Sequence, residues 1–329
     1  MRSGLRGIAA RQHGIFARHQ ALTYAYTSRE FAAMTAPGGQ WVKVRYGVYA
    51  EREFWQSLDD HQRLLLKDRA AALVCAPDAV LTHSSAARLL GLPLHDVVDG
   101  LSHVTRPLPC QSGRVQAQVK HHRATLDPAQ VIVVSELKTT VAERTVLDLS
   151  REYGYRTGLV AADAALHGGA SSETLAALAS ALTTEPRAPV MTAVVAEADG
   201  RAQTPIETLS RVLLTDMGID DLELQHVIHF PGGGHAEGDL YSPSLNHLFE
   251  CDGRVKYQDQ YDARGRLVTA DEVVWLEKKR EDKIRGLGIG VSRILWSDTS
   301  PANFERTCQR LWREIEQQSS HRLWLPPSA

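Results

Sequence analysis

The sequence lacks a long apolar run, a cysteine framework and a strong net charge. No stretch approaches the roughly 18 apolar residues that a membrane-spanning helix needs. The opening residues, MRSGLRGIAARQHG, have no apolar core of the kind a secretory signal carries. The four cysteines, Cys75, Cys110, Cys251 and Cys308, are far apart and form no CxxC pair. That spacing excludes a disulfide frame or a cysteine-based zinc site and predicts reduced thiols. Together these absences predict a cytoplasmic protein with no membrane partner. There is no tandem repeat and no low-complexity tract. What is present is ordinary globular usage, with 43% hydrophobic and 23% charged residues. A chain of 329 residues is long enough for two or three domains with substantial cores. The formal net charge of -2 argues against a uniformly basic nucleic-acid binder.

That small charge conceals blocks of opposite sign. From Met1 to Tyr49 seven basic residues, Arg18, Arg29, Lys43 and Arg45 among them, face the single acid Glu30. From Glu197 to Asp252 eleven acids stand against Arg201 and Arg211. Lys278, Lys279, Arg280, Lys283, Arg285 and Arg293 then outnumber Glu281 and Asp282. A basic head suits phosphate contact, and acids followed by a basic helix suit a metal site beside a phosphate site.

Local patterns suggest three regions. Leu5, Ile8 and Ala9 predict a short helix, and Arg18 to Tyr24 a second. The Thr27–Glu30 capping box opens a third, which Pro37-Gly38-Gly39 ends. Trp41 to Val44 and Val48-Tyr49 predict a hairpin turning at Arg45-Tyr46-Gly47. Three helices and then a hairpin is the order of a winged helix-turn-helix, here residues 1–50. In such a fold Arg18 and Arg29 would lie on the reading helices and Lys43 and Arg45 on the wing. Residues 51–200 read as a mixed α/β domain, with helices over Leu58–Val74, after Thr82, and over Thr140–Leu149 and Gly158–Leu166. Its expected strands are Val97–Val104, Val115–Val119 and Val131–Val134. Thr183 to Pro189 is the best linker candidate. Residues 201–329 follow the order helix, three strands, helix, strand, helix. Thr204-Pro205-Ile206-Glu207 starts the first of these helices. The chain as a whole is therefore expected to be α/β (α+β), with a central mixed sheet in its last domain.

The sharpest chemical pattern is Glu207, Asp239, Glu250 and Asp252. Glu250 and Asp252 are two apart on one predicted strand and share a face, while Cys251 faces away. Asp239 lies on the strand before. Converging carboxylates repel unless a cation neutralises them, and their oxygens suit magnesium. On this reading Asp239 and Glu250 hold Mg2+, Glu207 and Asp252 lie further out, and Lys256 assists at a phosphate. Lys278 and Lys279 would hold a nucleic-acid backbone. Other patterns are weaker. Gly232-Gly233-Gly234 reads as a hairpin turn, and Ser84-Ser85 as helix capping. His121-His122 with Cys110 lacks zinc spacing.

Asp239, the run Phe249 to Tyr257, the run Trp275 to Asp282 and Val291 to Trp296 resemble the restriction-endonuclease-like fold. More narrowly, they resemble its branch related to very-short-patch-repair endonucleases, over about the last 130 residues. The resemblance implies a PD-(D/E)xK site, with Asp239 and Glu250 as its acids and Glu207 as the acid of the preceding helix. The position two after Glu250 should then be lysine, yet it is Asp252, so Lys256 would have to substitute. Ile8 to Phe16 and Trp41 to Ala50 resemble the winged helix of AbiEi-type antitoxins. Thr82 to Leu92 and Thr145 to Leu149 resemble the domain that follows it there. That family implies DNA binding, autorepression and antagonism of a nucleotidyltransferase-like toxin. Two functions are thus expected: magnesium-dependent cleavage of DNA, or transcriptional autorepression by a chain whose nuclease fold is inactive. Nothing in the residues separates a DNA from an RNA substrate.

Overall fold

The computed structural model describes residues 1–75, 78–106, 114–252, 260–261, 267–268 and 270–322. The chain is mixed α/β, with sheets of both parallel and antiparallel pairing. It divides into two compact units, Met1–Ala198 and Asp199–Ala329. Among the described residues no helix is long and apolar enough to cross a membrane.

The first unit opens with α1 (Ser3–Arg11), β1 (Ile15–Ala17), α2 (Arg18–Thr23), α3 (Ser28–Thr35), β2 (Trp41–Arg45) and β3 (Val48–Glu51). The strands form an antiparallel sheet in the order β1-β3-β2. Strand β1 has no counterpart in the sequence reading, because three residues are too few to display a period of two. Gly14 makes it possible: its φ is +92°, and a Cβ there would lie 2.2 Å from the Phe54 ring. Helix α3 starts where the capping box places it. Glu30 donates its amide to Thr27 Oγ1 at 3.1 Å, and its carboxylate accepts the Thr27 amide at 2.7 Å. Leu5, Phe16, Ala21 and Phe31 pack around Trp41, which is 1% exposed.

The unit continues with α4 (Arg52–Ser57), α5 (Asp60–Val74), β4 (Val80–Leu81), α6 (His83–Leu90), β5 (Ser102–Arg106), β6 (Val115–Gln116), β7 (Val119–Arg123), β8 (Val131–Val134) and β9 (Leu137–Thr140). Four helices follow: α7 (Ala142–Tyr153), α8 (Tyr155–His167), α9 (Ser172–Ala181) and α10 (Ala188–Glu197). The six strands β4 to β9 form one mixed sheet in the order β6-β7-β5-β4-β9-β8. Two strand expectations need correction. The first begins only at Ser102 and not at Val97. The second, Val115–Val119, is broken by Ala117 and Gln118, whose φ values of +48° and +63° make a two-residue hairpin turn between β6 and β7. The Thr183–Pro189 stretch lies inside this unit, joining α9 to α10.

The second unit contains α11 (Pro205–Asp216), β10 (Glu223–His229), β11 (His235–Ser242), β12 (His247–Asp252), the short pair β13 (Gln260–Tyr261) and β14 (Leu267–Val268), α12 (Ala270–Gly286), β15 (Gly290–Leu295) and α13 (Phe304–Arg322). The main sheet has the order β10-β11-β12-β15. Its first two pairings are antiparallel and β12 runs parallel to β15. A parallel pair needs a crossover, and α12 lies in the one that joins these strands. Leu213, Leu214, Leu240, Phe249, Cys251, Ile294 and Leu311 make the core on one side of this sheet.

Candidate functional site

The expected carboxylates all fall in the second unit. Glu207 sits in the first turn of α11 and is 5% exposed. It accepts the Gln203 amide at 2.9 Å, the Thr204 hydroxyl at 2.7 Å and the Gln225 side-chain amide at 2.7 Å. Burial raises its pKa, and the nearby charge of Asp239 adds to the rise. Asp239, near the middle of β11, accepts the Cys251 backbone amide on Oδ2 at 2.6 Å. Glu250, on β12, is 8% exposed and accepts Arg280 Nη2 at 2.9 Å. Arg280 also donates Nη1 to the Glu237 carbonyl at 2.7 Å. Asp252, at the end of β12, lies 3.5 Å from Arg293 Nη1. The alternation along β12 is as expected: Cys251 points into the core, away from Glu250 and Asp252. Burial pushes the Cys251 thiol well above its ordinary pKa, with Asp239 next in effect, which favours the protonated form.

Among the described residues these acids do not form a group of three or more ligand atoms within 4.8 Å of one another. Asp239 and Glu207 are close enough to influence each other. Glu250 and Asp252, however, are ion-paired to arginines from α12 and β15. Among the described residues, the one group of three or more His, Cys, Asp or Glu ligand atoms within 4.8 Å of one another is made of histidines from the first unit. Arg280 holds Glu250 Oε2, so an ion using that carboxylate would share it with the guanidinium. Lys256 lies outside the described residues. Lys278 and Lys279 are exposed on α12, and Lys279 Nζ sits 3.6 Å from the centre of the exposed Trp275 ring.

The cationic candidates of the first unit are mostly on its surface. Arg18 opens α2 and Arg29 lies in the first turn of α3; both are exposed, as is Lys43 on β2. Arg2 is the residue that meets the acid of this region, reaching Glu30 at 2.7 Å. Arg45 departs from expectation. It is half-buried, its Nη2 reaches the Ala117 carbonyl at 3.4 Å, and its Nε and Nη1 are buried with no hydrogen-bond partner among the described residues. Burial lowers its pKa. The reason is the β6–β7 turn, whose Ala117 carbonyl meets the guanidinium and which a single predicted strand did not contain. Tyr46, at the hairpin tip, is 78% exposed, and only the structure reveals that exposure.

A buried polar centre around α6 carries no motif in the sequence. Ser85, read as a cap, instead donates to Asp68 at 2.6 Å and accepts the His103 amide at 2.7 Å. Arg88 meets Asp68 at 2.7 Å and the Leu101 carbonyl at 2.8 Å, both side chains being buried. His83, His103 and His122 lie together beside this network. They are 19 or more residues apart in sequence, so no ligand-spacing motif could find them. The signal that could have done so is histidine recurring on adjacent strands, since Thr105 pairs with His122 across β5 and β7. No protein-family model and no curated protein matches the chain.

Proposed function

We propose that the chain is a DNA-binding regulator, reading duplex DNA through residues 1–50 folded as a winged helix-turn-helix. The observation that carries this is the order α1-β1-α2-α3-β2-β3 closed by a β1-β3-β2 sheet, with Arg18, Arg29 and Lys43 exposed on it. In that fold α3 is the helix that enters the major groove and the β2–β3 hairpin lies against the backbone. Tyr46 at the hairpin tip adds an aromatic face beside those cations. The resemblance to AbiEi-type antitoxins supports the same role, with autorepression and a nucleotidyltransferase-like toxin as its partner.

The second unit is, on this reading, a restriction-endonuclease-like scaffold that binds without cutting. The helix–three-strand–helix–strand order supports the scaffold. The arginines paired to Glu250 and Asp252, together with aspartate where the motif needs lysine, support the loss of catalysis. The test joins a binding and a cleavage assay. Fluorescence anisotropy with duplex DNA should show affinity falling steeply with salt, and Arg18→Gln, Arg29→Gln and Lys43→Gln should each lower the salt slope by about 1. Arg45→Gln should leave the slope unchanged. Wild type and Asp239→Ala should be equally inert toward DNA with magnesium. Magnesium-dependent cleavage lost in Asp239→Ala would overturn the non-catalytic reading. A salt slope indifferent to all three charge removals would overturn DNA binding through this face, and tighter binding to RNA would reassign the substrate.

A further inference from the structure

We propose that His83, His103 and His122 form a site for one divalent transition metal of the zinc class, which ties α6 to strands β5 and β7. The three imidazoles come from separate elements and meet in the interior of the first unit. His83 is 1% exposed, His103 is fully buried and His122 is half-buried. One ring nitrogen from each lies within 4.8 Å of the others. His103 Nδ1 is 3.0 Å from His122 Nε2, and the His83 and His122 rings stack at 3.7 Å. Three nitrogens at about 2.1 Å from one tetrahedral ion lie roughly 3.4 Å apart, so His83 and His122 would have to turn out of their stack to share the ion.

The surroundings engage the outer nitrogens of His83 and His103 and leave one nitrogen of each for the centre. His83 Nδ1 is 3.0 Å from Thr82 Oγ1 and 4.0 Å from the buried Asp148 carboxylate. That leaves His83 Nε2, which is buried and takes no hydrogen bond among the described residues. An imidazole acceptor without a donor in a dry site is costly, and a cation satisfies it. His103 uses Nε2 toward Asp99 at 3.1 Å and the Tyr153 hydroxyl at 3.1 Å, leaving Nδ1 for the centre. Tyr153 also donates to Asp99 at 2.6 Å. A carboxylate on the far nitrogen of a ligating histidine fixes the ring and makes it a better ligand.

Neutral nitrogen donors select zinc, copper, nickel or iron over magnesium and calcium. Three imidazoles leave a fourth position for water. His83 has a φ of +51°, a left-handed backbone that a non-glycine residue keeps only when its surroundings hold it there.

The test is a Zn2+ titration of the metal-stripped full chain against a chromophoric chelator, with Co2+ as a spectroscopic substitute. Wild type should take up one equivalent tightly, and Co2+ should show the intense visible bands of four-coordinate nitrogen ligation. His83→Gln and His122→Gln should each lose that equivalent, and Asp99→Asn should weaken it about 10- to 100-fold. Circular dichroism shows which variants fold; His122, only half-buried, is the safer one. If neither histidine variant folds, the wild-type Co2+ spectrum decides, and absence of the bands overturns the proposal. Equal stoichiometry in wild type and a folded His122→Gln overturns it too, because the metal would then sit on other histidines such as His226, His229 and His235. Neither result depends on whether the chain binds DNA.

Discussion

Arg280 donates Nη2 to Glu250 Oε2 across 2.9 Å, tying helix α12 to strand β12 in the second unit. The Glu250 side chain is 10% exposed and that of Arg280 35%. Removing the arginine takes a cation away from a largely buried carboxylate. Loss of one partner of a fully buried pair costs about 3–5 kcal/mol, and the partial exposure of Arg280 reduces that to about 1–3 kcal/mol. Arg280→Ala should therefore lower the urea midpoint. The double variant Glu250→Gln, Arg280→Met should lose less than Arg280→Ala, because no buried charge remains. Equal midpoints for wild type and Arg280→Ala would show that the pair contributes nothing.

Gly158 in α8 inverts the usual helix-propensity expectation. In an open helix position alanine gains up to about 1 kcal/mol over glycine. Here an added Cβ would lie 2.2 Å from Ser150 Oγ and 2.9 Å from Ser150 Cα on α7. The hydroxyl can rotate away but the backbone cannot, and overpacking of this kind costs about 1–3 kcal/mol. Gly158→Ala should be destabilising, whereas Gly286→Ala in α12, with nothing within 4 Å of its Cβ, should be neutral or stabilising. Thermal unfolding of the two variants checks the opposite signs.

Glu281 predicts an acid-sensitive contribution. Burial alone would raise its pKa, but Arg285 at 3.0 Å and Arg293 at 3.1 Å outweigh burial and hold the carboxyl below its ordinary value. The folded state therefore prefers the charged form. Its stabilisation is present above the ordinary glutamate value of about 4.3 and is lost as pH falls through the lowered one. Glu281→Gln should cost about 0.2–1 kcal/mol at pH 7, a range that allows for solvent screening of the half-exposed arginines. In urea unfolding the gap between wild type and variant should shrink toward pH 3. A gap that stays constant across that range would remove the ion pairs as its cause.

Local grammar was readable wherever a single segment carries its own signal. The Thr27–Glu30 box, the Thr204-Pro205 helix start and the alternation of Glu250, Cys251 and Asp252 all reappear in the structure. What could not be read depends on pairing across the chain. Ala117 and Gln118 turn a predicted strand into a hairpin, and that hairpin covers Arg45. Asp239, Glu250 and Asp252 were placed on the right strands, but their partners Cys251, Arg280 and Arg293 are set by sheet register and helix docking. The histidines meet because β5 runs parallel to β7, an adjacency no local window contains.

Trp41 bears on how the N-terminal region would meet a partner. Its ring, on β2, touches Phe16 of β1, Tyr26 before α3 and Phe31 of α3, edge-on with centroids 4.8, 4.9 and 5.6 Å away. One side chain thus joins the hairpin, the turn and α3 through edge-on ring contacts. Helix and hairpin therefore share one packed core, which favours their presenting a single preformed surface. A ligand gripping both loses little conformational entropy on association, and its complex should form without an ordering step.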